Sequence, residues 1–182
     1  MPTYSLSELL KPTNERNIGN SYEPVAVGRY GIRKRSEIYT KDLASDFSKN
    51  KVIRYGSLII GMGSKQIDFG VLCEDESYCV SPAYHTYSID TKLANPRYLE
   101  LALKASNSHL TKKYMIASAR QGKSVDTKGL FKEKVSLPTL NEQSNFVRKT
   151  ETIIGSISRL DARLSECDSL IKSLFNERRA QA

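Results

Sequence analysis

Histidine and cysteine are scarce in this 182-residue chain, which holds two histidines, His85 and His109, and three cysteines, Cys73, Cys79 and Cys167. Two histidines are too few for most metal clusters, and each is read as structural; no metal site is expected. Scattered cysteines, odd in number, describe reduced, semi-buried residues of a cytoplasmic protein rather than a disulfide frame or a zinc site. Long apolar runs are missing too: none approaches the ~20 residues that span a bilayer. The N-terminal residues MPTYSLSELLKPTNERN lack a charged start followed by an apolar stretch, so no secretory signal is expected. These absences favour a cytoplasmic chain with no membrane partner.

Acidic residues are also in deficit, with 20 Asp+Glu against 28 Lys+Arg and a net charge of +8. The excess is unevenly placed. Residues 1–139 carry 21 basic and 14 acidic side chains, a net of +7, whereas residues 140–182 carry 7 and 6, a net of +1. Two stretches concentrate it: 28–54 with eight basic and three acidic residues, and 104–134 with eight and two. Such a field favours polyanions over small neutral ligands.

What is present divides near residue 139. Up to that point short apolar runs alternate with turn signals: PVAVG (24–28), KVIR (51–54), SLIIGM (57–62), GVLC (70–73), YCVS (78–81) and YHTYSI (84–89). Their Val, Ile and Tyr content predicts strands. PRYLELALKAS, opened by Pro96, predicts a helix; HLTKKYMIA predicts a second, and KVSLP (134–138) a last extended segment. The first 139 residues therefore read as an α+β domain with a twisted mixed sheet and short helices, an ordinary size for one domain.

From 140 to 182 the pattern changes. TLNE (139–142) spells a capping box, in which a Thr hydroxyl accepts a free N–H and the Glu reaches back. Pro138 discourages extending the helix backwards. Beyond it, Phe146, Thr150, Ile153, Ile157, Leu160, Leu164, Cys167, Ile171 and Leu174 recur at alternating steps of four and three. That is the 3.5-residue period of a coiled-coil seam. Val147, Ile154, Leu170 and Phe175 widen the stripe. A partner helix is implied; the alternative is one long helix folded back over its own domain.

Two motifs invite chemistry that their surroundings do not support. ASARQGKS (117–124) fits a loose spelling of a phosphate-binding loop. Such a loop sits between an apolar strand and an apolar helix. Here the preceding residues read as helix, and the following SVDTKGLFKEK is too polar for a buried one. Asn95-Pro96-Arg97-Tyr98 resembles the motif with which amino-methyltransferases hold a target amine, but no Gly-rich methyl-donor turn accompanies it. Pro96 is better read as a first helical residue with Asn95 as its cap. No catalytic residue is expected.

Three polar, basic loops remain. Arg29, Tyr30, Arg33, Lys34 and Arg35 form a dense cationic patch around a stackable ring. Ser64, Lys65 and Gln66 lie in a Gly-rich turn between two apolar strands, where glycine permits close approach to phosphates and base edges. Arg120, Gln121, Lys123 and Ser124 form the third. On one basic domain these loops favour double-stranded DNA, with Arg and Lys suited to guanine, Gln to adenine and Tyr to stacking, and with most cations meeting phosphate. Lys123 is then a ligand for a DNA phosphate rather than for ATP.

The stretch VSLPTLNEQ (135–143) resembles the strand-to-helix junction of specificity subunits of type I restriction–modification systems, with Leu137-Pro138, Leu140 and Glu142-Gln143 in register and Thr139 in place of a second proline. Tyr55-Gly-Ser-Leu-Ile-Ile60, Val80-Ser-Pro-Ala-Tyr84, Pro96-x-Tyr98-Leu99 and Arg120-Gln-Gly-Lys-Ser124 resemble further segments of that family in the same order. The resemblance implies a target-recognition domain followed by a dimerisation and spacer helix, as in a half-length specificity subunit. A full subunit carries two such domains, whose helices pair antiparallel as a ruler between the halves of a split DNA site. It further implies a homodimer that recruits methyltransferase and restriction subunits. No cofactor is expected in this chain; S-adenosylmethionine belongs to the methyltransferase partner, which acts on adenine N6. On helix orientation the residues point elsewhere, since Arg163 and Asp168 would pair across a parallel dimer, although Arg163 can also pair with Glu166 on its own helix. An autonomous DNA-binding homodimeric regulator, and an assembly protein whose basic face meets an acidic partner, are the competing readings.

Overall fold

The computed structural model describes residues 1–39, 46–117 and 123–180, without the side chains of 174, 175 and 177–180. The chain opens with β1 (Thr3–Ser5), α1 (Leu6–Leu9) and β2 (Leu10–Pro12). Glu8 fixes the start of α1: its carboxylate accepts the Ser5 N–H and the Ser5 hydroxyl, both at 2.6 Å. Next come β3 (Pro24–Gly28), β4 (Gly31–Lys34), β5 (Lys51–Ile53), β6 (Ser57–Met62), β7 (Ile67–Val71), β8 (Tyr78–Val80) and β9 (His85–Ile89). Then follow α2 (Pro96–Ala105), α3 (Asn107–Tyr114), β10 (Met115–Ala117), β11 (Lys123–Val125), α4 (Thr127–Leu130), β12 (Lys134–Ser136) and α5 (Leu140–Ala180).

The α+β class is as expected, but the strands divide between two four-stranded sheets. One has the order β2-β9-β6-β7 and is antiparallel throughout; the other has the order β4-β3-β8-β5, with β3 and β8 parallel. The pairs β1–β12 and β10–β11 stand apart as two-stranded ladders. The division follows from β6. Successive side chains on a strand point to opposite faces. Leu58 and Ile60 enter a core roofed by α1, α2, α3 and α4, while Ile59 enters a second core with Val25, Val27, Ile53 and Val80 of the mixed sheet. A strand buried on both faces reads as an unbroken apolar run, which is why SLIIGM shows no alternation. At Gly70 an added Cβ would lie 2.9 Å from both Ile32 and Val27, so a bare backbone lets the two sheets close on each other.

The stretch HLTKKYMIA is not one helix. It ends as a helix at Tyr114, and Met115–Ala117 form β10 against β11. A three-residue apolar run is ambiguous between helix and strand, and here pairing with the next strand decides it. Of the cysteines, only Cys79 is buried; Cys73 and Cys167 are exposed, not semi-buried.

By packing, the chain forms two units, Met1–Gln143 and Ser144–Ala182. Inside the first, Gln143 is fully buried and every polar atom of its amide is engaged. Its Oε1 accepts the Asn95 N–H at 2.7 Å, and its Nε2 donates to the carbonyls of Leu93 (3.0 Å) and Pro138 (2.9 Å). The Thr139 box forms as the sequence predicts, with the Thr139 N–H donating to the Glu142 carboxylate at 2.9 Å and the Glu142 N–H to the Thr139 hydroxyl at 3.4 Å. The second unit is the long helix. At ~1.5 Å per residue the 41 residues of α5 span about 60 Å. No helix among the described residues is long and apolar enough to cross a membrane.

Candidate nucleic-acid interface

β3 and β4 form a hairpin whose register pairs Gly28 with Gly31, leaving Arg29 and Tyr30 as the turn. Gly31 sits at φ +94°, a backbone that side-chain-bearing residues rarely adopt. The turn pushes Tyr30 into solvent, the residue 74% exposed and its ring flanked by the guanidiniums of Arg29 at 5.7 Å and Arg33 at 5.9 Å. A stackable ring with two cations beside it is thus held at a hairpin tip. The rest of the predicted patch is engaged elsewhere. Lys34 faces Glu23 at 3.2 Å, which holds its ammonium charged above the ordinary lysine range. Arg35 lies over the Tyr39 ring at 5.3 Å. Arg29, Tyr30 and Arg33 therefore form one cluster, while Lys34 is partly neutralised and Arg35 packs over Tyr39.

The second predicted loop connects β6 to β7. The Gly63 N–H donates to the Gln66 carbonyl at 2.9 Å, closing a tight turn that leaves Ser64 and Lys65 exposed. Beneath it lies Asp68, whose carboxyl burial pushes up while an amide hydrogen bond from Gln66, at 3.4 Å, opposes the shift. The turn is anchored from α3, whose register the sequence did not reveal. The Ile67 N–H donates to Thr111 Oγ1 at 3.1 Å, and Asn107 Nδ2 donates to the Ile67 carbonyl at 3.0 Å. β7 is an edge strand of its sheet, so two helical side chains take the place of a neighbouring strand there.

Arg120 and Gln121 of the third loop lie outside the described residues. Lys123 and Ser124 lie within β11, paired with Ala117 and Ile116. A phosphate-binding loop needs its Lys and Ser at the start of a helix, where free N–H groups converge. A strand at Lys123 and Ser124 is incompatible with that geometry. Lys123 instead donates to the Ser64 carbonyl at 2.9 Å, joining the third loop to the second. The amine-binding motif is resolved as plainly: Asn95 Oδ1 accepts the N–H groups of Arg97 (3.0 Å) and Tyr98 (3.1 Å) as the cap of α2.

Two open clefts lie on this surface. The first, about 440 Å³, has Arg35, Gly61, Tyr84, His85, Lys123 and Ser124 in its lining. The second, about 580 Å³, has Arg29, Lys65, Gln66, Lys104, Ser108 and Lys112. Residues of the β6–β7 hairpin contribute to both. Lys104 and Lys112 are functional candidates that motif reading passes over; the only sequence signal for them is the basic excess of 104–134.

No protein-family model matches the sequence, and no curated protein matches it. Solved structures match in fold. The HsdS subunit from Thermoanaerobacter tengcongensis matches over 93% of this chain and 46% of its own, with a TM-score of 0.59 and 20% identity. A chain from a type I R-M system, solved in work on its complex assembly and conformational transition, matches over 95% and 43%, with a TM-score of 0.62 and 16% identity. The type I restriction-modification S subunit from M. genitalium matches over 88% and 41%, with a TM-score of 0.53 and 13% identity. The chain spans less than half the length of each of these proteins. Its fold is that of a type I restriction–modification S subunit, over somewhat less than half of such a subunit's length.

Proposed function

We propose that this chain is a non-catalytic, sequence-specific DNA-recognition subunit of a type I restriction–modification system. The carrying observation is the S-subunit fold combined with a basic surface on which the Tyr30 hairpin tip, the Ser64–Lys65 turn and Lys123 stand together. Exposed cations meet phosphate and set the position of the domain; Gln66, Ser124 and the arginines are the groups suited to base edges.

The apolar seam of α5 supports the rest of the reading. Phe146, Ile153, Ile157, Leu160, Leu164 and Ile171 are exposed, and Cys167 lies exposed on the same stripe. A second copy presents the same stripe and can cover it, giving a homodimer with two identical recognition domains. A two-fold axis makes the half-sites inverted repeats. The seam over 146–174 is about 42 Å long at ~1.5 Å per residue, enough to hold half-site centres the ~34–36 Å of one DNA turn apart. The dimer thereby reads a split palindrome with an unread middle. It recruits methyltransferase subunits, whose S-adenosylmethionine supplies the methyl group for adenine, and restriction subunits in the complete assembly.

Methylome sequencing of cells with and without the chain tests this reading. It is expected to reveal a gapped, palindromic adenine-methylation motif that disappears with the chain. An unchanged methylome in the presence of a working methyltransferase would overturn it.

A further inference from the structure

We propose that the cleft between the β3–β4 turn, the β6–β7 turn and the junction of α2 with α3 is a seat for the DNA phosphodiester backbone. It is a sequence-blind contact made by Lys104, Ser108 and Lys112 of the helices together with Arg29 and Lys65 of the hairpins. The inference rests on the DNA-recognition reading above and names the residues that position the domain rather than read bases.

The cleft, about 580 Å³ in volume, collects four cationic side chains, Arg29, Lys65, Lys104 and Lys112, and no carboxylate lines it. They come from three parts of the chain remote in sequence, so folding alone concentrates the charge. Arg29, Lys65 and Lys112 form no ion pair among the described residues, which leaves them available to an anion. Lys104 is held in place from below. Glu100 is 3% exposed and shared between Arg97 and Lys104, the latter at 2.8 Å. A buried carboxylate must be paired, so Glu100 fixes Lys104 at the edge of the cleft. The Asn107–Thr111 clamp on Ile67 fixes α3 against β7, and with it the placement of Lys112 relative to Lys65.

The distribution of donors selects the ligand class. A single phosphate group is bound by donors converging on one point. Here four cations brought by two hairpins and two helices line one open cleft of about 580 Å³, an arrangement suited to a chain of phosphates running through it. The other cleft differs in kind, with Ser124 and His85 offering mixed donors and acceptors in a lining that also holds Lys123. Base edges require such groups, while phosphates require only positive charge and N–H or O–H donors.

The test uses the full chain and a 40-base-pair mixed-sequence duplex, with binding followed by fluorescence anisotropy between ~0.05 and ~0.3 M salt. Lys112→Gln is expected to lower the salt slope by about 0.9, equivalent to roughly eightfold weaker binding at 0.1 M salt, and by the same factor on unrelated duplexes. Ser108→Glu, which places a carboxylate at an exposed position in the trough, is expected to weaken binding at low salt and less at high salt. Lys92→Gln is the control: Lys92 follows the C-terminal end of β9, away from the β6–β7 turn, and should leave the slope unchanged. Wild-type slopes for both Lys112→Gln and Ser108→Glu, in a protein whose wild type binds duplex, would overturn the cleft assignment and leave the recognition reading standing. A changed sequence preference in Lys112→Gln would overturn the phosphate role. No duplex binding by the wild type would overturn the recognition reading itself.

Discussion

In the globular unit, Leu58, Ile59 and Ile60 are completely enclosed, each by one of two cores; in the helix, Ile153, Ile157, Leu160 and Leu164 are each more than half exposed. Both regions carry ample apolar side chains, so composition does not separate them. Geometry does. A strand between two layers buries alternate residues on both sides, whereas one helix cannot enclose its own stripe. The first unit encloses its apolar side chains and pairs the buried amide of Gln143, with Thr13 Oγ1 the one buried side-chain polar atom without a partner among the described residues. The second carries an uncovered seam, and at roughly 25 cal/mol per Å² of apolar surface removed from water, covering it is strongly favourable. The proposed recognition and assembly roles thus fall on regions with opposite needs.

The largest effect expected from breaking this contrast is on assembly. The chain is expected to sediment as a dimer, and replacing Ile157 and Leu164 together with Asp is expected to give a monomer in sedimentation or light scattering. The globular unit should keep its melting transition, because neither residue belongs to its cores. An unchanged dimer mass would contradict the seam.

Next in size is the loss of internal satisfaction in the first unit. Gln143→Ala removes three hydrogen bonds and leaves the Asn95 N–H and the Leu93 and Pro138 carbonyls short of a partner. A cost of about 3 kcal/mol in urea unfolding is expected. A loss under 1 kcal/mol would mean that water replaces the amide.

A smaller, functional effect is expected at Lys123. Lys123→Ala should weaken duplex binding by a similar factor on many sequences and lower the salt slope by about one unit. ATP should give no heat of binding in calorimetry. Saturable ATP binding that vanishes in the variant would restore the nucleotide reading.

The smallest effect tests electrostatics within the first unit. Burial pushes the Asp68 carboxyl above its ordinary range. A carboxyl raised on folding favours the folded state only while protonated. Its cost is absent below the unfolded value and complete above the folded one, so stability falls as pH rises through that window. Asp68→Asn should therefore raise the melting temperature more at pH 7 than at pH 4. Equal gains at both would exclude the charge as the cause.

Much of the first unit was legible along the sequence. The strands β3 and β6 coincide with PVAVG and SLIIGM, Asn95 caps α2, and the Thr139–Glu142 box marks the start of α5. These features are local, set by residues a few positions apart. Other elements were not legible. β10 is too short for its own period to declare it and is fixed by pairing with the next strand, β11, while the edge of β7 is completed by Asn107 and Thr111, some forty residues away. Leu6, Leu9 and Leu10 lie too close to the chain start for periodicity to declare them, although Ser5 and Glu8 spell a cap. The clefts were the least legible: residues 29, 65, 104 and 112 meet only through tertiary packing. Charge density pointed to the stretches 28–54 and 104–134 without saying which lysines share a surface.

Selection of bound duplexes from a randomised pool, followed by sequencing, tests the central claim most directly. Two identical recognition domains held apart by paired helices should enrich an inverted repeat whose half-sites flank an unread gap, with centres about ten base pairs apart. Inserting seven residues into the seam, which keeps its apolar face, should widen the gap or abolish binding while the half-site bases stay the same. An asymmetric or ungapped target, or an unchanged gap after the insertion, would contradict the account.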